Sequence, residues 1–304
     1  MRRVTIDIGG PVSVIEYGGS GPLAVCVHGL EGSAYNWRDI APDLIRTHTV
    51  VAPDLIGFGY TQPSGRAATV SANADLVSGL IDHYGGPALV VGNSMGGLIS
   101  ILAAGNRPAS VGAMVLVGPA GPVRRWDRLR PWAALTIGAP LIPGIGAAIV
   151  DAYRSSRSAE EGVAESYRLV TADPDTVSPT ATADALEIAV LRRTQPWAAH
   201  SLVEATRSIF PFVVASRRFT DALDRVAQPT LLIQGLADRI VDRHTAQWIA
   251  AKRPDWATAY LEGIGHVPMI ESPETFIEVF RAWEGHLGDG DQDARRSSVN
   301  GRSS

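Results

Sequence analysis

Ala88-Leu89-Val90-Val91-Gly92-Asn93-Ser94-Met95-Gly96-Gly97 decides how the rest of the chain is read. The apolar run at 88–92 has the length and β-branched content of a buried strand, and 95–105 carries helical spacing. Between them lies Gly-x-Ser-x-Gly, a strand-to-helix turn so tight that its apex residue must take a strained backbone conformation. Side chains two residues to either side of Ser94 would collide, and Gly92 and Gly96 remove them. The Ser94 hydroxyl then stands above the sheet, with a helix N-terminus behind it to stabilise negative charge. A glycine-rich turn with an incidental serine would spell the same five letters. The strand before and the helix after favour the elbow.

Outward from this turn the same grammar repeats. Residues 12–17, 23–28, 50–54 and 113–117 are short apolar runs, most of them bounded by Gly, Pro or Asp, and 34–46 and 70–84 have helical spacing. Strands at 230–235 and 258–261 and helices at 243–252 and 273–286 resume the alternation late in the chain. Strand–helix alternation predicts a mostly parallel, doubly wound α/β sheet with helices on both faces. The core is expected over 1–121 and 229–287. Residues 122–228 break the rhythm and read as a helical cap inserted over the sheet. Inside it, 131–150 holds twenty residues without a charge, long enough to suggest a membrane span. Three prolines and three glycines within it, and its place between two halves of one sheet, favour an apolar cap wall. Residues 288–304 are mostly Gly, Ser, Asp and Arg, with Val299 the one large apolar residue, and are expected to be a disordered tail.

A serine needs a base, and the base needs an acid to orient it. Of seven histidines, His266 lies in Gly263-Ile264-Gly265-His266-Val267-Pro268, a loop between the last strand and the last helix. That places it at the sheet edge where Ser94 points. His28 ends a strand at the same edge but opens a loop, His28-Gly29, with another role. The others sit on helices, at helix ends or before a strand. An elbow of this kind orders its triad Ser…Asp/Glu…His, and Asp238, in Gly235-Leu236-Ala237-Asp238-Arg239-Ile240-Val241, follows a strand that ends at the same edge. Asp242 is a nearby competitor.

Ser94, Asp238 and His266 in this order, with His28-Gly29 after the third strand, resemble the α/β-hydrolase fold superfamily. The likeness spans about 3–121 and 229–287. It implies an eight-stranded, mostly parallel sheet with the cap inserted after the sixth strand. It also implies an oxyanion hole made by the backbone N–H groups of Leu30 and Met95, the residues after the His-Gly pair and after the nucleophile. A serine nucleophile argues against the epoxide-hydrolase and haloalkane-dehalogenase branches, which attack with a carboxylate. Two hydrolytic readings stay open. One is a carboxylic-ester hydrolase of the esterase and lipase kind, working through an acyl-enzyme. The other is a carbon–carbon bond hydrolase of the meta-cleavage-product type, whose elbow, Gly118-Pro119-Ala120-Gly121 and Asp238-Arg239-Ile240-Val241 segments this chain resembles. A cap arginine of that branch would be matched by Arg192 or Arg193. Against it, His28-Gly29-Leu30-Glu31-Gly32-Ser33 lacks a Gly-Pro-Gly run, and Val267 stands where a tryptophan is expected. Ester cleavage is the favoured reading. A ligand-binding or slow-turnover protein on the hydrolase fold, and a cofactor-free haloperoxidase or perhydrolase, are further alternatives.

Composition narrows the partners. The 304 residues are 45% hydrophobic and 19% charged, which excludes a disordered or fibrous chain. With 27 Lys and Arg against 31 Asp and Glu, the net charge is −4, and no basic run offers a nucleic-acid surface. One cysteine, Cys26, excludes an internal disulfide and reads as inert core. Neither a metal ligand set nor a nucleotide loop is present, so no cofactor is implied. The first residues carry two arginines without an apolar stretch behind them. A cytoplasmic location without a membrane span is therefore expected, and a homodimer stays open. Residues 131–150 with Trp126, Trp132, Trp197, Phe210 and Phe212 would make an apolar cap interior if they face the site, which suggests a medium-sized hydrophobic small-molecule substrate. Packing of the cap against the core is the alternative, and the sequence does not separate the two. Glu31 and Asp54 are expected to be structural.

Overall fold

The computed structural model describes residues 1–124, 138 and 141–300, the last thirteen of these by backbone alone. Eight strands form one sheet: β1 (Arg2–Asp7), β2 (Pro11–Gly18), β3 (Leu23–Val27), β4 (Thr49–Pro53), β5 (Ala88–Asn93), β6 (Val111–Val117), β7 (Thr230–Gly235) and β8 (Ala257–Leu261). Their order is β1-β2-β4-β3-β5-β6-β7-β8. β1 and β2 are antiparallel at one edge, and every pair from β4 to β8 is parallel. This is the expected mostly parallel α/β sheet.

The apolar runs are continuous because both faces of the sheet are covered, and the two-residue period divides them. Val25, Val27, Val90, Met114, Leu116 and Leu232 face one core, with helices α2 (Val70–Tyr84), α3 (Met95–Asn106), α8 (Ser216–Leu223) and α9 (Arg243–Lys252). Ala24, Cys26, Leu89, Val91, Val115, Leu231 and Ile233 face the other. That side is closed by Trp37, α1 (Ala41–Leu44), α10 (Pro268–Glu271) and α11 (Pro273–Asn300). Between β6 and β7 the described helices are α4 (Gly146–Ser155), α5 (Ala159–Val170), α6 (Pro179–Arg193) and α7 (Ala198–Val214), followed by α8.

Three local expectations differ from the structure. The helix expected over 34–46 is a 3-10 turn, Ala34–Trp37, and the four-residue α1. Pro42 explains the break: it has no N–H to give the carbonyl one turn back, and it sits where a helix can only begin. β1 was not resolved from the apolar pattern, because an edge strand reading Arg-Arg-Val-Thr-Ile-Asp buries only Ile6. The last helix continues past His286 to Asn300, over residues expected as tail. Gln, Ala and Arg at 292–296 are strong helix formers that extend a helix already nucleated on the core. Residues 301–304 lie outside the described residues, as do 131–137 and 139–140 of the uncharged stretch at 131–150. Among the described residues, no helix is long and apolar enough to cross a membrane.

Candidate active site

Ser94 sits between β5 and α3 at φ 56°, ψ −116°, a region that L-residues avoid at about 1–3 kcal/mol. Both of its peptide groups are held there. Its N–H donates to the Val117 carbonyl at 2.9 Å, and its own carbonyl accepts from Ala120 N–H at 2.9 Å and Leu98 N–H at 3.2 Å. The glycine requirement is literal: a Cβ on Gly96 would lie 2.1 Å from the Val27 carbonyl oxygen, and one on Gly92 2.5 Å from that of Gly96.

Asp238 and His266 meet across the neighbouring loops. His266 Nδ1 is 2.7 Å from Asp238 Oδ2, and both side chains are almost completely buried. The other carboxylate oxygen, Oδ1, accepts from the N–H groups of Ile240 (2.7 Å) and Val241 (2.9 Å). Gln234 Nε2 donates to Oδ2 at 3.2 Å. A carboxylate fixed in this way holds the imidazole with its proton on Nδ1 and leaves the Nε2 lone pair as the proton acceptor. Asp242, the competing acid, is used elsewhere: it caps α9 by accepting from His244 N–H and pairs with the His244 ring.

The loop after β3 supplies the second wall. His28 is fully buried, and its Nε2 accepts from Leu55 N–H at 3.0 Å. The Nδ1 therefore carries the proton and donates to the Gly29 carbonyl at 2.7 Å. Burial keeps this ring neutral by lowering its pKa. The Gly29 carbonyl also accepts from Gly32 N–H at 3.0 Å. Because a peptide unit is planar and trans, pinning this carbonyl aims the Leu30 N–H in the opposite direction. Leu30 and Ser94 both line one cavity, and Met95 opens α3 directly behind the serine. Among the described residues, neither the Leu30 nor the Met95 N–H is given to a protein acceptor.

The cavity measures about 360 Å³ and also receives His266. Ile149, Val150, Tyr153, Tyr167, Ile188 and Leu202 form much of its apolar wall. The aromatic interior expected from the sequence is not what lines it. Phe210 is exposed, Phe212 packs on the sheet core, and neither they nor Trp197 reach the cavity. Instead α4, α5 and α6 present i, i+3, i+4 faces to it, with Tyr153, Tyr167 and Ile188 among them, and α7 adds Leu202. Trp126 and Trp132 lie outside the described residues.

Arg192 and Arg193 both line the cavity, with Arg154 and Arg157. Arg154 and Arg192 pair with Glu31. Burial alone would push the Glu31 carboxyl up, but the two arginine charges override it and hold it at about 2. Asp184, also on the cavity wall, goes the other way. Burial raises it to about 6, against the pull of Arg38 and with help from Glu187 and Asp39. Asp54 is structural, as expected: it accepts from Ala34 and Tyr60 N–H and pairs with Arg3 at 2.7 Å. Cys26 is fully buried, and burial drives its thiol pKa up, so it is unreactive.

Sequence reasoning missed three residues that assemble the site. Glu271, nearly buried on α10, accepts from Gly265 N–H (2.6 Å), Ala172 N–H (2.7 Å) and Asp173 N–H (3.0 Å), so it ties the histidine loop to the end of α5. Asn93 donates to the carbonyls of His266 (3.0 Å) and Val117 (3.1 Å). Gln234 bridges Asp238 to the Gly235 and Val241 carbonyls. A polar residue ending each apolar strand run, Asn93 on β5 and Gln234 on β7, was the available signal. Glu271 had none.

Comparison with known proteins places this geometry in context. Pimeloyl-[acyl-carrier protein] methyl ester esterase of Aromatoleum aromaticum is 28% identical over 255 residues, 83% of this chain and 94% of that protein. A shorter match, 37% identical over 117 residues, covers 38% of this chain and 40% of the 2-hydroxy-6-oxo-2,4-heptadienoate hydrolase of Pseudomonas putida. The crystal structure of the lip1 protein of Acinetobacter baumannii AYE superposes with a TM-score of 0.76 at 20% identity, covering 95% of this chain and 92% of that one. The sequence profile of the Alpha/beta hydrolase family matches residues 24–279, and with the eight-stranded sheet described above it shows that the chain belongs to that family.

Proposed function

We propose that the protein is a serine hydrolase that cleaves a carboxylic ester of a hydrophobic small molecule through an acyl-enzyme on Ser94. The observation that carries this reading is the buried Asp238–His266 hydrogen bond opening onto the cavity that holds the strained Ser94. Ser94 Oγ attacks the acyl carbon as His266 Nε2 takes its proton. The oxyanion that forms is met by the Leu30 and Met95 N–H groups, a donor pair in which each member typically contributes about 3–4 kcal/mol to lowering the barrier. Collapse expels the alcohol, which takes the proton back from His266. Water, deprotonated by the same imidazole, then releases the acid. Asp238 holds the imidazole tautomer throughout. Within the expected cap, residues 122–228, helices α4 to α7 close the cavity and set its apolar character.

Carbon–carbon bond hydrolysis is the second reading, favoured by the presence on the cavity wall of both candidate cap arginines, Arg192, which is engaged by Glu31, and Arg193, where a substrate carboxylate would find a cation. Steady-state hydrolysis of a p-nitrophenyl ester chain-length series, with Ser94→Ala as control, separates the two. Serine-dependent turnover that prefers one chain length supports the ester reading and sizes the acyl pocket. A folded protein inert on every ester, but active on a vinylogous 1,5-diketone, supports the second.

A further inference from the structure

Glu31 follows directly on Leu30, and its surroundings are unusual for a loop residue. Its φ is 60°, in the left-handed region that non-glycine residues occupy only when neighbours over-determine it. Those neighbours come from two helices of the inserted segment. Arg154 on α4 pairs with Glu31 Oε1. Arg192 on α6 lies 3.7 Å from Oε2 and donates from Nη2 to the Glu31 backbone carbonyl at 2.5 Å. The side chain of Leu30 packs against Val150 of α4 and Leu202 of α7. From the core side, the preceding peptide is pinned by His28 and Gly32 through the Gly29 carbonyl. The Leu30 N–H thus stands between two anchors, one built into the sheet and one brought by the inserted helices.

We propose that Glu31 is a positioning residue: clamped by Arg154 and Arg192, it ties the inserted helices to the oxyanion loop and fixes the aim of the Leu30 N–H. This rests on the serine-hydrolase reading above. A clamp of this kind makes the donor complete only while α4 and α6 are seated on the loop. A carboxylate is suited to the task because it takes one arginine on its oxygens while a second spans side chain and backbone. With its carboxyl held at about 2 by the two arginine charges, Glu31 is ionised at neutral pH.

The test is kinetic, with p-nitrophenyl butyrate as substrate and 1,1,1-trifluoroheptan-2-one as a probe that forms an oxyanion on the serine. In Glu31→Gln, kcat should fall about 10- to 100-fold, part of the effect of losing one oxyanion donor, while KM changes less than threefold. The inhibition constant of the fluoroketone should rise by the same factor by which kcat/KM falls. Arg154→Met should reproduce the effect and serves if Glu31→Gln does not fold. The double variant should be no worse than the worse single, because the pair acts as one unit. Unchanged kcat and fluoroketone affinity in a folded variant, or a change in KM alone, overturns the positioning role and leaves the ester reading standing. A wild-type protein without Ser94-dependent ester turnover overturns both.

Discussion

The two walls of the cavity are held by different means. On the sheet side, Ser94, Asp238 and His266 are fixed by backbone groups and short side chains within a few residues of the strand ends. Examples are Val117 carbonyl to Ser94 N–H, Ile240 and Val241 N–H to Asp238, and Asn93 to the His266 carbonyl. On the side of the inserted helices, long arginines reach across sequence separations above one hundred residues, from Arg154 and Arg192 to Glu31 and from Arg38 to Asp184. Short, backbone-based anchors define atomic positions, because few torsions separate the anchor from the reacting atom. Long side chains define how one element sits on another. Damage to the sheet side should therefore remove the chemistry, whereas damage to the other wall should grade it.

The sharpest break in this comparison is Ser94→Ala. Ester turnover should fall on the order of 10⁴-fold or more, with the thermal midpoint nearly unchanged, since the strained backbone is held by its own hydrogen bonds. Steady-state rates and a melting curve check both halves. Next comes Asp238→Asn, for which kcat should drop about 10³- to 10⁴-fold. The amide can present an N–H to His266 Nδ1 and so favour the wrong tautomer.

Glu271→Gln separates assembly from chemistry. The amide nitrogen would face N–H groups of Gly265 or of Ala172 and Asp173, leaving buried donors unpaired at a cost of about 1–3 kcal/mol. The thermal midpoint should drop by several degrees, while kcat in the folded protein changes less than about tenfold. A larger kcat loss with unchanged stability would place Glu271 with the reacting groups instead.

The smallest effect concerns Asp184. Its carboxyl is raised to about 6 in the folded protein, above the ordinary carboxylate value of about 3.9. The folded state thus holds the proton more tightly, and this group withdraws stability as pH rises through the window from about 4 to 6. Asp184→Asn should therefore gain in melting temperature relative to wild type on going from pH 5 to pH 8, by about 1–2 °C. A gain that shrinks with pH would mean that the Arg38 ion pair outweighs burial.

How far the sequence could be read follows from the same contrast. The elbow, the histidine loop and the Asp238 loop were legible because each is a local solution: a tight turn needs its glycines, and a reactive group must end a strand. The bounds of α2, β7 and α9 followed from periodicity for the same reason. The cavity lining was not legible. Trp197, Phe210 and Phe212 look like pocket residues in composition, yet which face of α7 turns inward depends on how that helix packs, and composition carries no such information.

By itself, the amino-acid sequence determined the α/β alternation, the Gly-x-Ser-x-Gly turn with its unavoidable strain at Ser94, and the chain order Ser94, Asp238, His266. These are consequences of hydrophobic period and of steric limits within a handful of residues. Only the tertiary structure decided that Glu31 is clamped by Arg154 and Arg192, that Glu271 stitches the histidine loop to α5, and that Asp242 caps a helix instead of facing His266. The first two join residues far apart in the chain, and the third is a local cap that the sequence could not tell from a triad acid. Many carboxylates and arginines could form the distant pairings, and the packing of α4 to α7 on the sheet selects which ones meet.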